Sequence, residues 1–222
     1  MSETATLVPP RIRPRDAASL VLIDRTGAEP RVLMGKRHAK MKFVPDAFVF
    51  PGGKLDPDDL KARPATALTP AAGFGARTQA LAMAAVRETF EETGLILAAP
   101  GDVGADSGPS WAHFLERGLA PRLDALSCLA RAITPASSPI RFHARFFSAA
   151  AETLQGTLQG SGELEELDWY PLSEALRLPV IDVTEFVLRE VLAGHGRPGH
   201  GETGRSRIPL FSYRNNRAVI RA

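Results

Sequence analysis

The spacing of apolar and polar residues predicts strands in the first quarter of the chain. The run AASLVLID (17–24) is apolar enough for a buried strand, RTGAEP follows it as a turn, and RVLMGKR (31–37) has the pattern of a second strand. A short strand in AFVFPGGKL (47–55) is stopped by Pro51 and two glycines. At that point the chain either turns sharply or allows another group to approach its backbone closely.

Helix formers are densest in TQALAMAAVRETFEET (78–93), which is the clearest helix of the sequence. Thr78 is the expected N-cap, and Gly94 is the expected left-handed C-cap. The preceding segment, 56–76, is rich in proline, alanine and glycine and has little periodicity. We interpret it as an inserted surface excursion with room for one helical turn.

Strands and helices continue to alternate through the second half of the chain. We expect a strand at 94–97, a short helix at 111–118, paired strands at 123–135 and 140–151, a strand that leads into a helix at 164–176, a helix at 182–194, and a hairpin that turns at Asn215 and Asn216. No linker is long enough to divide this pattern. It predicts one mixed α/β domain over 15–222, preceded by a flexible, proline-broken tail at 1–14.

The composition narrows the class of protein. Apolar residues make up 44% of the 222 residues and charged residues 23%, which is typical of a globular protein and excludes a disordered one. The net charge of +2 is spread along the chain, so the sequence does not require a nucleic-acid partner. The single cysteine, Cys128, excludes an internal disulfide and fits a reducing compartment. No apolar run approaches the ~20 residues that span a bilayer, and we expect a cytoplasmic protein without a membrane partner.

Three carboxylates stand close together near the end of the predicted helix. Residues three and four apart share a helix face, so Glu88, Glu91 and Glu92 converge within one turn and repel one another unless a cation offsets their charge. Oxygen donors in such a cluster suit a hard divalent ion that is completed by water and substrate phosphates. Arg87 is placed to brace a carboxylate or to contact the glycine turn. The alternative is a charge-rich helix face in contact with solvent.

The segment RETFEETGL (87–95) resembles the second half of the Nudix box, in which Arg-Glu-x-x-Glu-Glu-x-Gly is followed by an apolar residue. The resemblance implies an α/β fold of the Nudix type, an α/β/α sandwich with a mixed β-sheet between helices. It also implies a hydrolase that uses Mg²⁺ or Mn²⁺ to cleave a nucleoside diphosphate linked to another moiety. The metal ligands it implies are Glu88, Glu91 and Glu92, with Arg87 as their orienting partner.

The first half of the box departs from the family pattern. Gly53 is the expected opening glycine, and the backbone of Gly52 and Gly53 is expected to shape the metal site. The insertion at about 56–76 breaks the spacing that follows, because counting forward from Gly53 reaches Asp59 whereas counting back from Arg87 reaches Gln79. The first glutamate of the box is therefore absent or replaced, and no residue is assigned to its role.

The residues before the box resemble one branch of the family, the coenzyme A diphosphatases related to the mammalian peroxisomal enzymes. VFPGGKLD precedes the insertion, and Arg37, Lys42, Asp46 and Phe50 fall at the intervals of that branch's upstream signature. Lysine replaces arginine at Lys42, which keeps the charge but loses the bidentate fork, and Asp46 replaces glycine. Arg37 and Lys42 are the expected substrate-binding residues, and the implied substrate is coenzyme A or an acyl-coenzyme A.

Two alternatives remain open at this stage. The same chemistry would suit ADP-ribose, NADH or a dinucleoside polyphosphate, since the box dictates diphosphate cleavage and not the flanking groups. The second alternative is a protein of another class: a non-catalytic Nudix module that binds a nucleotide and regulates another process. Glu163 and Glu166 in SGELEEL are candidate general bases, against the alternative of a solvated acidic turn. The sequence leaves a homodimer open.

Overall fold

The computed structural model describes residues 12–41, 43–68, 75–195, 208–215 and 217–221. The strands within these residues are β1 (Arg15–Asp24), β2 (Arg31–Arg37), β3 (Phe48–Val49), β4 (Gly52–Lys54), β5 (Ala98–Pro100), β6 (Leu119–Pro121), β7 (Ser127–Ile133), β8 (Phe142–Ala150), β9 (Leu164–Pro171), β10 (Leu210–Arg214) and β11 (Arg217–Arg221). The helices are α1 (Ala76–Thr93), α2 (Ala112–Glu116), α3 (Leu172–Ala175) and α4 (Asp182–Leu192). Short 3₁₀ turns lie at Pro57–Leu60, Pro109–Trp111, Leu123–Ala125 and Ala151–Thr153.

The main sheet is mixed. Its strand order is β11-β10-β7-β8-β1-β2-β3, with β4 paired to β1 and β9 paired to β2. The pairs β1–β8 and β7–β10 are parallel, whereas β1–β2, β1–β4, β2–β9, β7–β8 and β10–β11 are antiparallel. Strands β5 and β6 form a separate small sheet. The central position of β1, next to both β4 and β8, makes it the strand around which the described part of the chain is organised.

Helices cover both faces of the sheet. Successive side chains of a strand point to opposite sides, so one strand contributes to two apolar cores. Ala18, Leu20 and Leu22 of β1 pack with α1 in one apolar core, whereas Val21 and Ile23 pack with α3 and α4 in another. The predicted α/β/α sandwich with a mixed sheet is confirmed. Among the helices that the structure describes, none combines the length and the apolar character needed to cross a bilayer.

Most predicted elements are present with shifted ends. The strands predicted at 17–24 and 31–37, the paired strands of the second half, the strand-to-helix transition at 164–176, the helix at 182–194 and the terminal hairpin are all confirmed. The long helix was predicted to begin after Thr78, but its N-cap is Gly75, and Thr78 lies buried in the first turn. The strand predicted at 94–97 was also misplaced. The left-handed Gly94 turns the chain there, Ile96 makes only an isolated bridge to Gln155, and β5 starts at Ala98.

The segment predicted as an insertion begins with an ordered turn. Asp56 caps the 3₁₀ turn Pro57–Leu60 by accepting a hydrogen bond from the Asp58 N–H, and its own N–H donates to the carboxylate of Asp59. Farther along, Thr66 donates its hydroxyl to Asp124 at 2.6 Å. Residues 69–74 lie outside the described residues, as do 1–11 of the predicted tail. The turn matters for function because it carries Asp59 into the protein interior.

Candidate functional site

The helix α1 brings its carboxylates to the edge of the main sheet. Its inner face consists of small and apolar residues, among which Ala82, Ala84 and Ala85 are completely buried, so the helix axis can approach β1 and β4 closely. Glu88 and Glu92 point along the side that faces β4, whereas 43% of the Glu91 side chain is exposed. The cluster predicted from the sequence is therefore partly inside the protein rather than a solvated helix face.

Two glycines make the contact between α1 and β4 sterically feasible. The N–H of Gly52 donates a hydrogen bond of 2.9 Å to Oε2 of Glu92. A Cβ on Gly53 would lie 2.3 Å from the carboxylate carbon of Glu88, and a Cβ on Gly52 would lie 2.4 Å from the carbonyl oxygen of Ala18. A side chain at Gly52 would collide with the backbone of β1, and one at Gly53 would displace the carboxylate of Glu88, so the two glycines allow the backbone of β4 to lie against the carboxylates.

Arg87 is the central cation of the site. Its Nη1 donates to Glu91 at 2.9 Å, and its Nη2 donates to Glu88 at 3.1 Å and to the carbonyl oxygen of Lys54 at 3.2 Å. Only 6% of its side chain is exposed. Burial alone would lower the pKa of Arg87, but the hydrogen bonds and charges of its carboxylate partners raise it above the ordinary value. Arg87 therefore stays charged and holds two carboxylates of the cluster in place.

Asp59 is the partner of Arg87 for which the sequence analysis assigned no role. Its side chain is completely buried, with one oxygen 2.8 Å from Nε of Arg87 and the other 3.1 Å from Nη2. This two-point geometry matches the planar fork of a guanidinium. Asp59 is the residue that the count forward from Gly53 reaches, and the remainder of the insertion follows it. The capping pattern in DPDD, with Asp56 as the cap and Asp59 three residues later, is the sequence signal that could have identified an ordered turn at Asp59.

Burial makes the charged form of each carboxylate in the cluster less stable. It raises the pKa of Glu92 to about 8, although the hydrogen bond from Gly52 favours the charged form. Burial also raises the pKa of Glu88 and of Glu91, and in both cases the charge of Arg87 opposes the shift. Arg87 faces three carboxylates, Asp59, Glu88 and Glu91, and Glu92 lies on the same helix turn, so the chemistry of the donor set fits a hard divalent cation. Among the described residues, however, no three His, Cys, Asp or Glu side chains are gathered closely enough to coordinate one ion, since Glu91 turns toward Arg87 and Glu92 toward Gly52.

The loop between β8 and β9 carries one of the two predicted bases to the cluster. The N–H of Gln159 donates to the carbonyl oxygen of Thr93 at 2.8 Å, and the N–H of Ser161 donates to that of Glu92 at 3.3 Å, so the loop satisfies carbonyls at the end of α1. Glu163 follows and lines the same cavity as Glu88 and Glu92. Glu166 does not line this cavity; its carboxylate accepts from Lys36 at 3.2 Å.

A cavity of about 1220 Å³ opens beside the carboxylates. Its lining includes Gly52 and Gly53 and several cationic side chains, namely Arg13, Arg15, Arg37, Lys40 and Arg141. Arg37 donates from Nε to the carbonyl oxygen of Phe43 at 3.0 Å, and its charge acts against the rise that burial causes in the pKa of Glu92. Lys42 lies outside the described residues. The cavity thus joins acidic groups to a basic rim, and Arg13, Arg15 and Arg141 were not anticipated from the sequence.

Asp46 adopts a backbone conformation that is more usual for glycine. Asp46 has φ 59°, which lies in the left-handed region that favours glycine and that aspartate tolerates better than most residues. Its N–H donates to the carbonyl oxygen of Arg37 at 3.0 Å, and the N–H of Arg37 donates to that of Ala47 at 3.0 Å. The turn at Asp46 therefore holds the backbone of Arg37 at the cavity.

Comparisons with known proteins agree with this arrangement. The family model described as NUDIX domain matches residues 13–191. The chain is 28% identical over 173 residues to "Putative nudix hydrolase 7" of Caenorhabditis elegans, which covers 73% of this chain and 53% of that protein, so the chain spans about half the length of this relative. A NUDIX hydrolase from Alicyclobacillus acidocaldarius superposes with a TM-score of 0.65 and 30% identity over 84% of this chain and 98% of that one.

A more distant structure shares the fold alone. The NUDIX domain of NrtR from Shewanella oneidensis, solved in complex with ADP ribose, superposes with a TM-score of 0.51 at 12% identity over 82% of this chain and 89% of that chain. The matched family region contains α1, the PGG turn and Asp59, and thus the whole Arg87-centred cluster. The chain therefore belongs to the NUDIX domain family.

Proposed function

We propose that the protein is a divalent-metal-dependent hydrolase that cleaves the diphosphate of a nucleotide joined to another moiety, with coenzyme A or an acyl-coenzyme A as the substrate. The observation that carries the proposal is the acidic cluster of α1, in which Arg87 holds Glu88 and Glu91 and the glycine turn holds Glu92, at one end of a large cavity with a basic rim. A diphosphate needs both features, since its charge must be bound and its phosphorus made accessible to a nucleophile.

Glu88, Glu91 and Glu92 are the residues that would hold Mg²⁺ or Mn²⁺. When bound, the cation would supply neutralisation of diphosphate charge and a water of lowered pKa. Arg87 orients Glu88 and Glu91 through the hydrogen bonds described above and is itself anchored by Asp59. Glu92 is buried and accepts a hydrogen bond from the N–H of Gly52, and a cation at this position would stabilise its charged form.

Residues of this chain provide the remaining chemistry. The cationic side chains of Arg37, Arg15 and Lys40 contact phosphate oxygens and hold the diphosphate against the carboxylate end of the cavity. Glu163, at the same end, accepts a proton from the attacking water. We leave Glu166 out of the mechanism because it pairs with Lys36 and does not line the cavity.

The choice of coenzyme A rests on the upstream signature together with the cavity. Arg37 and Phe50, which belong to that signature, both line the cavity, and Asp46 keeps the intervening turn. The cavity is also larger than the ~300–1,000 Å³ typical of small-molecule sites, which favours a substrate longer than a single nucleotide.

A substrate panel tests the proposal. Purified protein is incubated with Mg²⁺ or Mn²⁺ and coenzyme A, acetyl-coenzyme A, ADP-ribose, NADH or diadenosine polyphosphates, and the products are separated by chromatography. We expect phosphopantetheine, or its acylated form, and adenosine bisphosphate, at a kcat/KM above that of every other substrate. Faster cleavage of ADP-ribose, NADH or a dinucleotide would overturn the choice of substrate. Nucleotide binding without any turnover would instead support the regulatory alternative.

A further inference from the structure

A row of alanines crosses the sheet along the floor of the cavity. The strand register aligns Ala17 of β1 with Ala144 of β8, Ala144 with Ala132 of β7, and Ala132 with Phe211 of β10. All four residues line the cavity. The alanine side chains end at Cβ, whereas the neighbours of Ala144 on the same face of β8 are Phe142 and Phe146. The three alanines therefore form the floor of a trough that has an aromatic ring on each side where it crosses β8, and we call it the alanine trough.

The length of the alanine trough matches that of a fully extended pantetheine arm. It runs from β4, which contacts the carboxylates, across β1, β8 and β7 to β10, and four strand spacings of about 4.8 Å give ~19 Å. An extended chain advances roughly 1.1–1.2 Å per chain atom, so a pantetheine arm of about 13 chain atoms spans ~15 Å. The end of such an arm, starting from the diphosphate at the carboxylates, falls just short of Phe211.

The far wall of the trough comes from outside the matched family region. Phe211 and Tyr213 belong to β10, which follows the NUDIX match over 13–191 and adds a parallel strand to β7. Phe211 is held by Phe186 of α4, with ring centroids 5.2 Å apart, and the two β10 rings stand edge to face at 5.5 Å. The hydroxyl of Tyr213 donates to the carboxylate of Asp182 at the start of α4. This wall is aromatic, its rings are held by contacts with α4, and both of its residues belong to the C-terminal hairpin.

We propose that the alanine trough binds the elongated arm of the substrate and that Phe211 and Tyr213 contact an apolar group at the end of that arm. Resting on the proposed function, this makes acylated coenzyme A the preferred substrate over coenzyme A itself. The alanine floor offers no hydrogen-bonding side chain to the base of a second nucleoside, and the carboxylate of Asp182 is already engaged by Tyr213, so this part of the cavity favours an apolar group.

The test compares coenzyme A with octanoyl-coenzyme A. We expect the octanoyl compound to have a kcat/KM about tenfold higher with Mg²⁺ and a Kd about tenfold lower by titration calorimetry in EDTA, because burying two methylenes already gives that factor. Ala132→Leu fills the far part of the trough, and Phe211→Ala removes the wall. Both substitutions should bring each ratio to within about twofold of unity. Ala132→Leu decides the matter if Phe211→Ala lowers the yield of folded protein.

Ala112→Leu is the matched control, since it makes the same change at an exposed position of α2 that does not line the cavity. The control should keep the tenfold preference of the wild type. Equal Kd values for the two compounds, absence of binding of both, or a preference that survives Ala132→Leu would overturn the trough assignment. Preferential binding of octanoyl-coenzyme A without turnover would keep the trough and overturn the hydrolase proposal, so the two failures are distinguishable.

Discussion

At the scale of single residues, the site depends on a buried ion pair. Arg87 and Asp59 have 6% and 0% of their side chains exposed, and every guanidinium nitrogen of Arg87 has an acidic partner. A buried pair with satisfied hydrogen bonds contributes little compared with apolar packing, but loss of one partner leaves an uncompensated charge. The geometry of Glu88 and Glu91 therefore rests on a residue 28 positions away from Arg87 in the chain.

Replacing Asp59 should destabilise the whole fold. Asp59→Asn removes the buried negative charge, and we expect the free energy of unfolding in urea to fall by about 3 kcal/mol. Asp106→Asn is the control, because Asp106 pairs with Arg63 at 3.8 Å with 72% of its side chain exposed. The control should change the free energy of unfolding by less than about 0.5 kcal/mol. Equal effects of the two substitutions would contradict the central position given to Asp59.

The residues of the site differ in how far the sequence could predict them. Arg87, Glu88, Glu91 and Glu92 stand within one helical turn, so their proximity follows from helix periodicity alone. Asp59 could not be assigned with the same security, since the insertion separates it from Arg87 and the two possible counts disagreed. Arg15 and Arg141 carry no local signal, because they reach the cavity only through the pairing of distant strands.

At the scale of elements, turns and helix ends fix the strands and helices around the site. In the β1–β2 connection, Asp24 accepts from the N–H of Thr26 at 2.9 Å, from its hydroxyl at 2.7 Å and from Nε of Arg31 at 3.1 Å. The hydrogen bonds from Thr26 and the contact with Arg31 lower the pKa of Asp24 from 3.8 to about 2. The turn is therefore stabilised by an ionised carboxylate.

This contact should give a measurable pH dependence of stability. The folded-state pKa lies below the unfolded one, so the stabilisation is fully present above about pH 5 and is lost as the pH falls through about 2. We expect Asp24→Asn to lower the free energy of unfolding by about 1 kcal/mol at pH 7, with solvent screening at this surface turn reducing the effect. Urea titrations of both proteins between pH 7 and pH 2 should show the difference shrinking toward low pH. A difference independent of pH would contradict the assignment.

The C-terminal end of α1 depends on the left-handed conformation of Gly94. Gly94 has φ +72°, and a Cβ there would lie 2.8 Å from the carbonyl oxygen of Thr157 in the loop that carries Glu163. Gly94→Ala should lower the free energy of unfolding by about 2 kcal/mol, through left-handed strain and displacement of the loop. Gly118→Ala, at φ +60° with nothing within 4 Å, isolates the strain and should lower it by about 1 kcal/mol. Identical losses would show that the loop contact has no energetic role.

Local sequence patterns predicted the presence of the helices and strands better than the residues at which they begin and end. The helix and its C-cap at Gly94 were recognisable, since a left-handed cap follows a run of helix formers. The start of α1 was placed too late because Thr78 looked like a cap, whereas its N–H donates to the carbonyl oxygen of Gly75 inside the first turn. Tertiary packing extends the helix beyond this residue, because Thr78 is buried against the rest of the protein and the N-cap lies at Gly75.

At the scale of the whole molecule, the cavity is a product of strand order. β1 lies between β4 and β8, so the glycine turn, the basic residues and the alanine trough line one continuous cavity. The fold class could be predicted from alternating elements and from the family resemblance. The trough could not, because its alanines are distant in the chain and align only through the register of β1, β8 and β7.

The central claim is that the acidic cluster on α1 hydrolyses a diphosphate with the help of a divalent cation. The most direct measurement is coenzyme A cleavage with Mg²⁺ by the wild type, by Glu91→Gln, and by Glu185→Gln, which makes the same change in an exposed Glu–Arg pair four residues apart. We predict that Glu91→Gln lowers kcat by a factor of about 100 or more with the urea midpoint nearly unchanged, whereas Glu185→Gln retains full turnover. Turnover by Glu91→Gln equal to that of the wild type, or turnover by the wild type that persists in EDTA, would contradict the claim.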